Sequence, residues 1–358
     1  NIFGQLFNGV SIIDDFTVVG DNNARYIYSK TVFYQENGLA KKIALCISQK
    51  KQSVFCRISG CSILDIESDI QIYERKHHVK FDDSQKSAIR DSLMFHMSII
   101  NGGPGHGKTS VIDCILFIWS RHVSDIDPVL AAPTGRAVSV LKKATQNRYK
   151  VRTAMKCIHM MKQIIKEGLN ETRSEFFETL HDNLVVLDEC SMIGVDTAFA
   201  FMSLFTDCQF IFVGDANQLP SISYGQFFRD LCSINLIIKN ELVVNYRANG
   251  KLIVDNADAI NNGDINALDY SDPEQFELVP AEYDFSNKII EQYKKYVSSE
   301  KILPNGVVQS YIDRNKLYKE GCMFAHNYVK VALATPKVIL GNPQKNAKEI
   351  LKIANDYP

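Results

Sequence analysis

The 358-residue sequence lacks any apolar run of membrane-spanning length, for which a helix needs about twenty mostly apolar residues. The apolar stretch at residues 111–119 is far too short, and no signal peptide is recognisable. These absences argue against a membrane-spanning helix in this sequence, and we expect no membrane partner. The apolar fraction of 46% and the charged fraction of 23% are typical of an ordinary globular protein.

The nine cysteines include no C-x-x-C pair, and both their odd number and their scattered positions argue against a disulfide framework. Free thiols suit a reducing compartment, so we expect a cytoplasmic or nucleoid-associated protein. Cys46, Cys56 and Cys61 could form a zinc site with His77 or His78. Their spacing is irregular, however, and free thiols are the better interpretation.

Net charge is also almost absent, since 40 basic residues balance 41 acidic ones and leave a formal charge of −1. The overall charge therefore predicts no polyanionic partner. Residues 133–166, in contrast, contain no acidic residue, whereas a solvated helix face usually mixes both signs. This imbalance favours contacts with phosphate groups. The basic residues of this stretch are Arg136, Lys142, Lys143, Arg148, Lys150, Arg152, Lys156, Lys162 and Lys166.

One stretch carries a specific chemical signal, because the sequence GGPGHGKT from Gly102 to Thr109 matches the phosphate-loop pattern G-x-x-x-x-G-K-[ST]. Its glycines let successive backbone N–H groups face one anion, and the helix that follows adds its positive dipole end. Lys108 is expected to contact the β- and γ-phosphates, and the Thr109 hydroxyl is expected to bind Mg²⁺. The predicted nucleotide-binding residues of the loop are Gly102, Gly103, Pro104, Gly105, His106, Gly107, Lys108, Thr109 and Ser110.

A second signal is a pair of acids, Asp188 and Glu189, directly after the apolar run at 184–187. Carboxylates at a buried strand end are unfavourable unless they hold a cation. We therefore expect Asp188 to complete the Mg²⁺ shell with Thr109, and Glu189 to activate the attacking water.

Two further polar residues follow apolar runs. Gln218 comes shortly after residues 210–213, where an amide can distinguish ATP from ADP at the γ-phosphate. Arg247 follows another apolar run, and a planar guanidinium suits the charge that develops on a transferring phosphoryl group.

The pattern of apolar segments predicts an α/β fold with a parallel sheet, because strands alternate with helices from residue 81 onward. Strands are predicted at 97–100, 129–132, 184–187 and 210–213, and helices at 81–96, 109–121, 137–143 and 196–205. Residues 1–78 contain short β-favouring runs between Gly- and Asn-rich turns. We interpret them as a small β-rich module.

Seven motifs in order between residues 80 and 265 resemble those of the RecD-type superfamily 1 DNA helicases. Besides the phosphate loop, SQKSAI from Ser84 is similar to the adenine-contacting glutamine motif of the family, and AAPTGRA from Ala131 to its first DNA-contacting motif. The segment CIHMM at 157–161 is similar to a segment that lies against single-stranded DNA. The remaining matches are DECSM from Asp188, GDANQLPS from Gly214, and NYR at 245–247 with its following helix.

The resemblance implies a P-loop NTPase with two RecA-like parallel-sheet lobes, preceded by the small β-rich N-terminal module. The implied boundaries are 1–78 for the module, 79–236 for the first lobe and 237–358 for the second. Mg²⁺ and ATP would lie between the lobes, with Gln85 at the adenine. The implied catalytic residues are Lys108, Asp188, Glu189, Gln218 and Arg247. Single-stranded DNA, or a duplex with a single-stranded tail, would contact Pro133, Thr134, Gly135, Arg136, His159 and His326.

The C-terminal part departs from the family. The segment CMFAH at 322–326 is similar to the start of motif V, but the Lys-Ser-Gln-Gly that should follow is missing. Residues 331–342 resemble the flanks of motif VI without its Thr-Arg-Ala core. Either the second lobe is degenerate, or segments are omitted from the sequence. We expect omission, because both flanks look intact.

The leading hypothesis is an ATP-driven DNA helicase or translocase, with 5′→3′ polarity implied by the family alone. One alternative is a nucleotide-switched, catalytically weakened subunit of a DNA repair or recombination assembly, which would contact other subunits through the N-terminal module. Another alternative is an RNA helicase of a viral replicase.

Overall fold

The computed structural model describes residues 16–20, 25–48, 52–246 and 251–272. The chain divides into two compact units, 1–254 and 255–358, and the second is described only up to residue 272. The strands are β1 Phe16–Gly20, β2 Arg25–Ser29, β3 Met97–Asn101, β4 Val129–Ala132, β5 Val151–Thr153, β6 Leu184–Leu187, β7 Gln209–Gly214 and β8 Ile238–Glu241.

Helices surround these strands in the described ranges. The α-helices are α1 Lys30–Ser48, α2 Val54–Ser59, α3 Ile63–His77, α4 Asp83–Met94, α5 Lys108–His122, α6 Gly135–Ala144, α7 Ala154–Glu167, α8 Glu171–Glu178, α9 Val195–Met202, α10 Phe227–Ser233 and α11 Lys251–Asn262. Short 3₁₀ turns lie at Cys190–Met192 and Ile265–Ala267.

A six-stranded sheet of order β5-β4-β6-β7-β3-β8 forms the centre of the first unit, and its strands pair in parallel. Neighbouring residues point to opposite faces, as in any strand. Ile99 and Phe212 belong to one hydrophobic cluster, whereas Ile100 and Val213 belong to the other. Both faces are therefore buried under helices, which explains why these strands are apolar throughout and do not alternate with polar residues. The predicted parallel α/β fold is confirmed.

The parallel arrangement also positions the site. Because the carboxyl ends of parallel strands meet at one edge of a sheet, the residues that follow β3, β4, β6 and β7 lie along the same edge. The phosphate loop follows β3 and the acidic pair follows β6. The structure therefore brings these distant motifs together.

The described part of the N-terminal region is mostly helical, which corrects the prediction of a β-rich module over residues 1–78. Its strand content in the described part is the antiparallel hairpin β1–β2. The run Thr31-Val-Phe-Tyr lies within α1, and Val54 and Phe55 lie within α2. Both of the latter side chains are fully buried, so their packing outweighs the weak β preference of β-branched and aromatic residues.

Two capping boxes begin the helices of this region. The Ser62 hydroxyl accepts from Asp65 N at 3.4 Å, and the Asp65 carboxylate accepts from Ser62 N at 2.8 Å. Asp82 and Gln85 make the same reciprocal pair at the start of α4. Each pair satisfies two backbone donors that a helix N-terminus otherwise leaves free. Helices α2 and α3 then bury Phe55, among other side chains, in the same hydrophobic cluster as Ile100 of β3.

The second unit is described from 255 to 272. There the Asn256 side chain donates to Asp269 O at 2.7 Å and accepts from Asp269 N at 2.7 Å, which fixes the turn after α11. The motif V and motif VI remnants, and the predicted fold of the second lobe, lie outside the described residues.

Candidate nucleotide-binding site

The phosphate loop connects β3 to α5, the order that the sequence predicts. Gly105 and Gly107 have φ of 90° and 79°, the left-handed region that glycine enters without strain. A Cβ atom on Gly107 would lie 2.4 Å from Nε2 of Gln85. Residue 107 therefore has to be glycine for two reasons, its positive φ and the close approach of the Gln85 side chain from α4.

Lys108 lies inside the loop. Its ammonium donates to Gly102 O at 2.5 Å and to Gly103 O at 3.0 Å. The His106 ring covers Gly103, whose Cβ would come within 2.9 Å of it. Lys108 and the neighbouring Thr109 are half-buried, while Pro104 and Ser110 are exposed. The charge of Lys108 is thus held at the centre of the loop by neutral carbonyls, which an anion can replace.

Asp188 lies at the carboxyl end of β6 and is 7% exposed. Burial, helped by the neighbouring Glu189 charge and opposed by the Glu189 N–H and Lys108, raises the pKa of Asp188 to about 6. Within the described ranges, no ion pair involves Asp188. A buried carboxylate of this kind is suited to a cation.

Glu189 adopts a left-handed backbone with φ of 54°. A non-glycine residue in this region is strained by about 1–3 kcal/mol, and such strain concentrates at functional sites. The conformation directs the chain into the 3₁₀ turn at Cys190–Met192 immediately after the acidic pair.

The loop after β7 lies beside the acidic pair. Gln218 is joined to the turn after Asp188, because the Ser191 hydroxyl donates to Gln218 Oε1 at 3.4 Å. Asp215 is 5% exposed, and it accepts from Gln218 N at 3.1 Å through its backbone carbonyl. Lys108, Asp188 and Gln218 thus lie at one sheet edge.

Gln85 is 3% exposed and makes contacts with three segments. Its Nε2 donates to His106 O at 3.2 Å, and its Oε1 accepts from Asp82 N at 3.2 Å and from the Tyr246 hydroxyl at 3.4 Å. Tyr246 also donates to Asp82 Oδ2 at 2.8 Å, while its N–H donates to Gly105 O at 2.9 Å. The segment after β8 is thereby fastened to the phosphate loop.

Asp82 and Tyr246 are site residues that sequence reasoning missed. The available signal was the capping-box spacing of Asp82 to Gln85 and the position of Tyr246 beside Arg247 in the NYR motif. Arg247 itself and His326 lie outside the described residues.

The first predicted DNA-contacting segment follows β4 at the same sheet edge. Thr134 caps α6 by accepting from Ala137 N at 3.2 Å, and Gly135 and Arg136 are exposed, with Pro133 half-buried. His159 is exposed on α7, which begins directly after β5.

The basic stretch separates into groups with different surroundings. Arg148 is paired with Asp113, and Lys150 with Glu175. Arg152 lies over the Phe176 ring, 5.6 Å from its centroid. Lys142 and Lys143 lie in the last turn of α6, which runs antiparallel to the strands and so ends near the opposite sheet edge. Arg136 and Lys156 are the members in the first turns of helices that begin at the edge carrying the phosphate loop, and His159 follows Lys156 on α7.

The donor set of the loop fits Mg²⁺, because a hydroxyl and an unpaired buried carboxylate are oxygen ligands. Thr109 and Asp188 are the residues that could hold it. In the part of the chain that the structure describes, no cluster of three or more His, Cys, Asp or Glu side chains could bind a metal, so the zinc alternative has no support. The described cysteines are free thiols. No described helix is long and apolar enough to cross a membrane.

The chain is similar to several known proteins. A model described as an AAA domain matches residues 85–224. The RecD subunit of the RecBCD enzyme from Buchnera aphidicola is 28% identical over 240 residues, which are 59% of this chain and 38% of that protein. The chain is thus similar to RecD subunits and resembles the RecD-type helicases of superfamily 1. The motifs from the phosphate loop to GDANQLPS lie within residues 85–224.

A second RecD subunit, from Mycobacterium tuberculosis, is 28% identical to this RecD-like chain over 204 residues, 52% of the chain and 35% of that protein. The match thus spans little more than a third of either RecD protein. A solved structure of Bacteroides Pif1 bound to single-stranded DNA covers 62% of the chain and 57% of its own, with a TM-score of 0.40 and 14% identity.

Proposed function

We propose that this RecD-like chain hydrolyses ATP to move along single-stranded DNA, and so acts as a helicase or translocase. The observation that carries the proposal is the grouping of Lys108, the buried Asp188 and Gln218 at one sheet edge, beside the exposed Arg136. A triphosphate site and a basic, exposed segment on the same edge suit a nucleic-acid motor.

The phosphate loop would bind the triphosphate through backbone N–H groups freed by its glycines. Lys108 would exchange its two carbonyl contacts for the phosphates, and Gln85 would contact the adenine. Thr109 and Asp188 would hold Mg²⁺, which neutralises the charge that develops on the phosphate oxygens. Glu189 would orient the attacking water, and Gln218 would distinguish ATP from ADP at the γ-phosphate.

A second lobe would complete the site, with Arg247 stabilising the transferring phosphoryl group and His326 contacting DNA. We keep the lobe boundaries 79–236 and 237–358 as part of this proposal. The two-lobed form is implied by the motif resemblance of the sequence. The segment from β8 to Tyr246, which is fastened to the phosphate loop, is the route by which the nucleotide state would reach the second lobe.

Single-stranded DNA would be held by Pro133, Thr134, Gly135, Arg136 and His159. Contacts of this type follow the phosphate backbone without reading the sequence. A polarity of 5′→3′ is proposed from the family resemblance.

A second candidate is a nucleotide-switched subunit within a larger repair or recombination assembly. Both RecD relatives carry the name of a subunit of the RecBCD enzyme, which favours this candidate. Such a subunit would bind ATP and DNA but would not separate strands alone.

Strand displacement distinguishes the two candidates. The RecD-like chain should release the labelled strand from a duplex with a 5′ single-stranded tail when ATP and Mg²⁺ are present. It should not act on a blunt duplex or one with a 3′ tail, and Lys108→Ala should be inactive. ATPase activity without strand release on any tailed duplex would favour the subunit, and release from the 3′-tailed duplex alone would reverse the polarity.

A further inference from the structure

The loop that carries Gln218, residues 215–221, is held at one peptide from two sides, and we call it the sensor loop. The Ala216 N–H donates to Oδ1 of Asn101 at 2.9 Å. The Ala216 carbonyl accepts from Arg229 Nη2 at 3.1 Å and from its Nε at 3.3 Å. Both polar groups of Ala216 are therefore satisfied by side chains from other elements.

Asn101 is the last residue of β3, directly before the phosphate loop. An asparagine amide carries a donor and an acceptor, and here both are used. While Oδ1 receives the Ala216 N–H, Nδ2 donates to Glu241 Oε2 at 2.7 Å on β8. The Asn101 carbonyl also accepts from Leu242 N at 2.8 Å. A single residue thus joins the phosphate loop, the sensor loop and the strand that leads to Tyr246.

Arg229 lies on α10, on the other side of Ala216. Its third contact is from Nη1 to Gln226 Oε1 at 2.9 Å. A planar guanidinium can make these contacts in one plane, which a lysine ammonium cannot reproduce. Arg229 therefore fixes the direction of the Ala216 carbonyl.

A movement of Ala216 is transmitted to Gln218 because two hydrogen bonds to Asp215 hold the turn between them. Asn217 N donates to Asp215 Oδ1 at 3.0 Å, and Gln218 N donates to Asp215 O at 3.1 Å. The Gln218 side chain is in turn held by the Ser191 hydroxyl after the acidic pair. The position of the Gln218 amide consequently depends on how Ala216 is held.

We propose that Asn101 and Arg229 are positioning residues that hold the sensor loop at Ala216, so that Gln218 can distinguish a triphosphate from a diphosphate. This role rests on the function proposed above for Gln218. Asn101 in addition couples the sensor loop to β8 through Glu241.

The test measures equilibrium affinity for ADP and for a non-hydrolysable ATP analogue, with Mg²⁺ and without DNA. Asn101→Ala and Arg229→Ala should each lower the preference for the analogue by about three- to tenfold, the effect of one or two lost hydrogen bonds. Affinity for ADP should stay unchanged. Gln218→Ala should lower the same preference, and combining it with Arg229→Ala should add little, because both act through one group.

Two further variants separate positioning from folding. Arg173→Ala removes an arginine that also donates to a backbone carbonyl, Gly168 O at 3.1 Å, and should leave the preference unchanged. Asn101→Asp combined with Glu241→Gln keeps the contact with the Ala216 N–H. In the contact between residues 101 and 241, the two substitutions exchange the donor and the acceptor. This pair should restore the preference that Asn101→Ala loses.

A wild-type preference in both Asn101→Ala and Arg229→Ala would overturn the proposal, as would an equal loss of affinity for both nucleotides. Because the measurement needs neither DNA nor turnover, its outcome is separate from the proposed motor activity. A wild-type chain whose ATPase ignores DNA would contradict the motor and would leave the nucleotide preference measurable.

Discussion

Asp188 shows at the scale of one residue how a buried carboxylate destabilises the protein that carries it. The carboxylate is buried beside Glu189 without an ion-pair partner in the described ranges. Because its pKa is raised to about 6, the folded protein binds a proton more tightly than the unfolded chain does. Between the ordinary carboxyl pKa and about pH 6, the free energy of unfolding therefore falls as the pH rises. Above pH 6 the folded protein keeps the full loss of stability caused by the charged carboxylate.

We expect Asp188→Asn to stabilise the nucleotide-free protein at pH 7.5, by up to about 3 kcal/mol on the scale of 1.36 kcal/mol per pKa unit. The amide can still accept the Glu189 N–H, but it carries no charge. Urea unfolding at several pH values measures the effect. The difference between variant and wild type should disappear as the pH falls from 6 to 4. A variant less stable than wild type at pH 7.5 would contradict the account of Asp188.

Gly107 offers a second test at the residue scale. Gly107→Ala should weaken nucleotide binding at least tenfold, since the new Cβ would meet Gln85 Nε2 at 2.4 Å and displace the loop. Gly60→Ala is the matched control, because Gly60 has φ of 69° and ψ of 7°, close to the 79° and 18° of Gly107, and nothing within 4 Å. Both variants should lose about 1–2 kcal/mol of stability from the left-handed backbone. Equal nucleotide affinity of the two variants would show that the contact with Gln85 is unimportant.

The candidate site residues that the sequence predicts are those whose chemistry is encoded locally. Lys108 and Asp188 belong to short motifs with fixed spacing, and the structure brings them to one edge. Asn101 and Tyr246 could not be predicted in the same way. Asn101 meets Ala216 across 115 residues of sequence, and Tyr246 meets Gln85 across 161. Such roles arise only from the tertiary arrangement.

At the scale of elements, helix α1 is the part that sequence reasoning described least well. It packs against α9, where Tyr34 meets the Phe199 ring at 5.7 Å, and Lys42 donates to Phe205 O at 2.6 Å just after α9 ends. Leu39 and Ile43 enter the hydrophobic cluster under the sheet. The helix therefore covers α9, which follows the acidic pair.

We expect Leu39→Ala to lower the free energy of unfolding by about 2–4 kcal/mol, because it leaves a cavity in a buried cluster. Leu45→Ala removes the same groups from a side chain that is 54% exposed on the same helix, and it should change stability little. Urea denaturation of both variants measures the difference. Similar stability losses in the two would mean that α1 does not pack as the structure shows.

The strands of the central sheet were predictable because each is a short apolar run between turn signals. β4 and β6 have the predicted bounds, and β3 is one residue longer than predicted. The N-terminal helices were not predictable in this way, because Val54 and Phe55 have weak β preferences that capping and burial override. Strand β5 has three residues, too few for its periodicity to be visible.

At the scale of the whole molecule, the proposed nucleotide site and the proposed DNA-binding surface share one sheet edge. Arg136 lies exposed at the edge of the sheet that carries the phosphate loop, whereas Lys150 is already paired with Glu175. The charge of the basic stretch is thus divided between candidate DNA contacts and ordinary ion pairs.

Arg136→Ala should weaken binding to single-stranded DNA, and the slope of log affinity against log salt should decrease by about 0.7, the value for one lost phosphate contact. Lys150→Ala should leave the slope unchanged, because its charge is balanced by Glu175. Fluorescence anisotropy with a labelled oligonucleotide at several salt concentrations measures both. A larger effect for Lys150 than for Arg136 would place the DNA elsewhere on the chain.

The central claim is that ATP hydrolysis in this RecD-like chain is coupled to single-stranded DNA. The most direct test is the rate of ATP hydrolysis with Mg²⁺, in the absence of nucleic acid, with saturating single-stranded DNA, and with RNA of the same sequence. We predict stimulation of at least tenfold by DNA, a smaller effect of RNA, and no hydrolysis by Lys108→Ala. A rate that is the same with and without DNA would contradict the account.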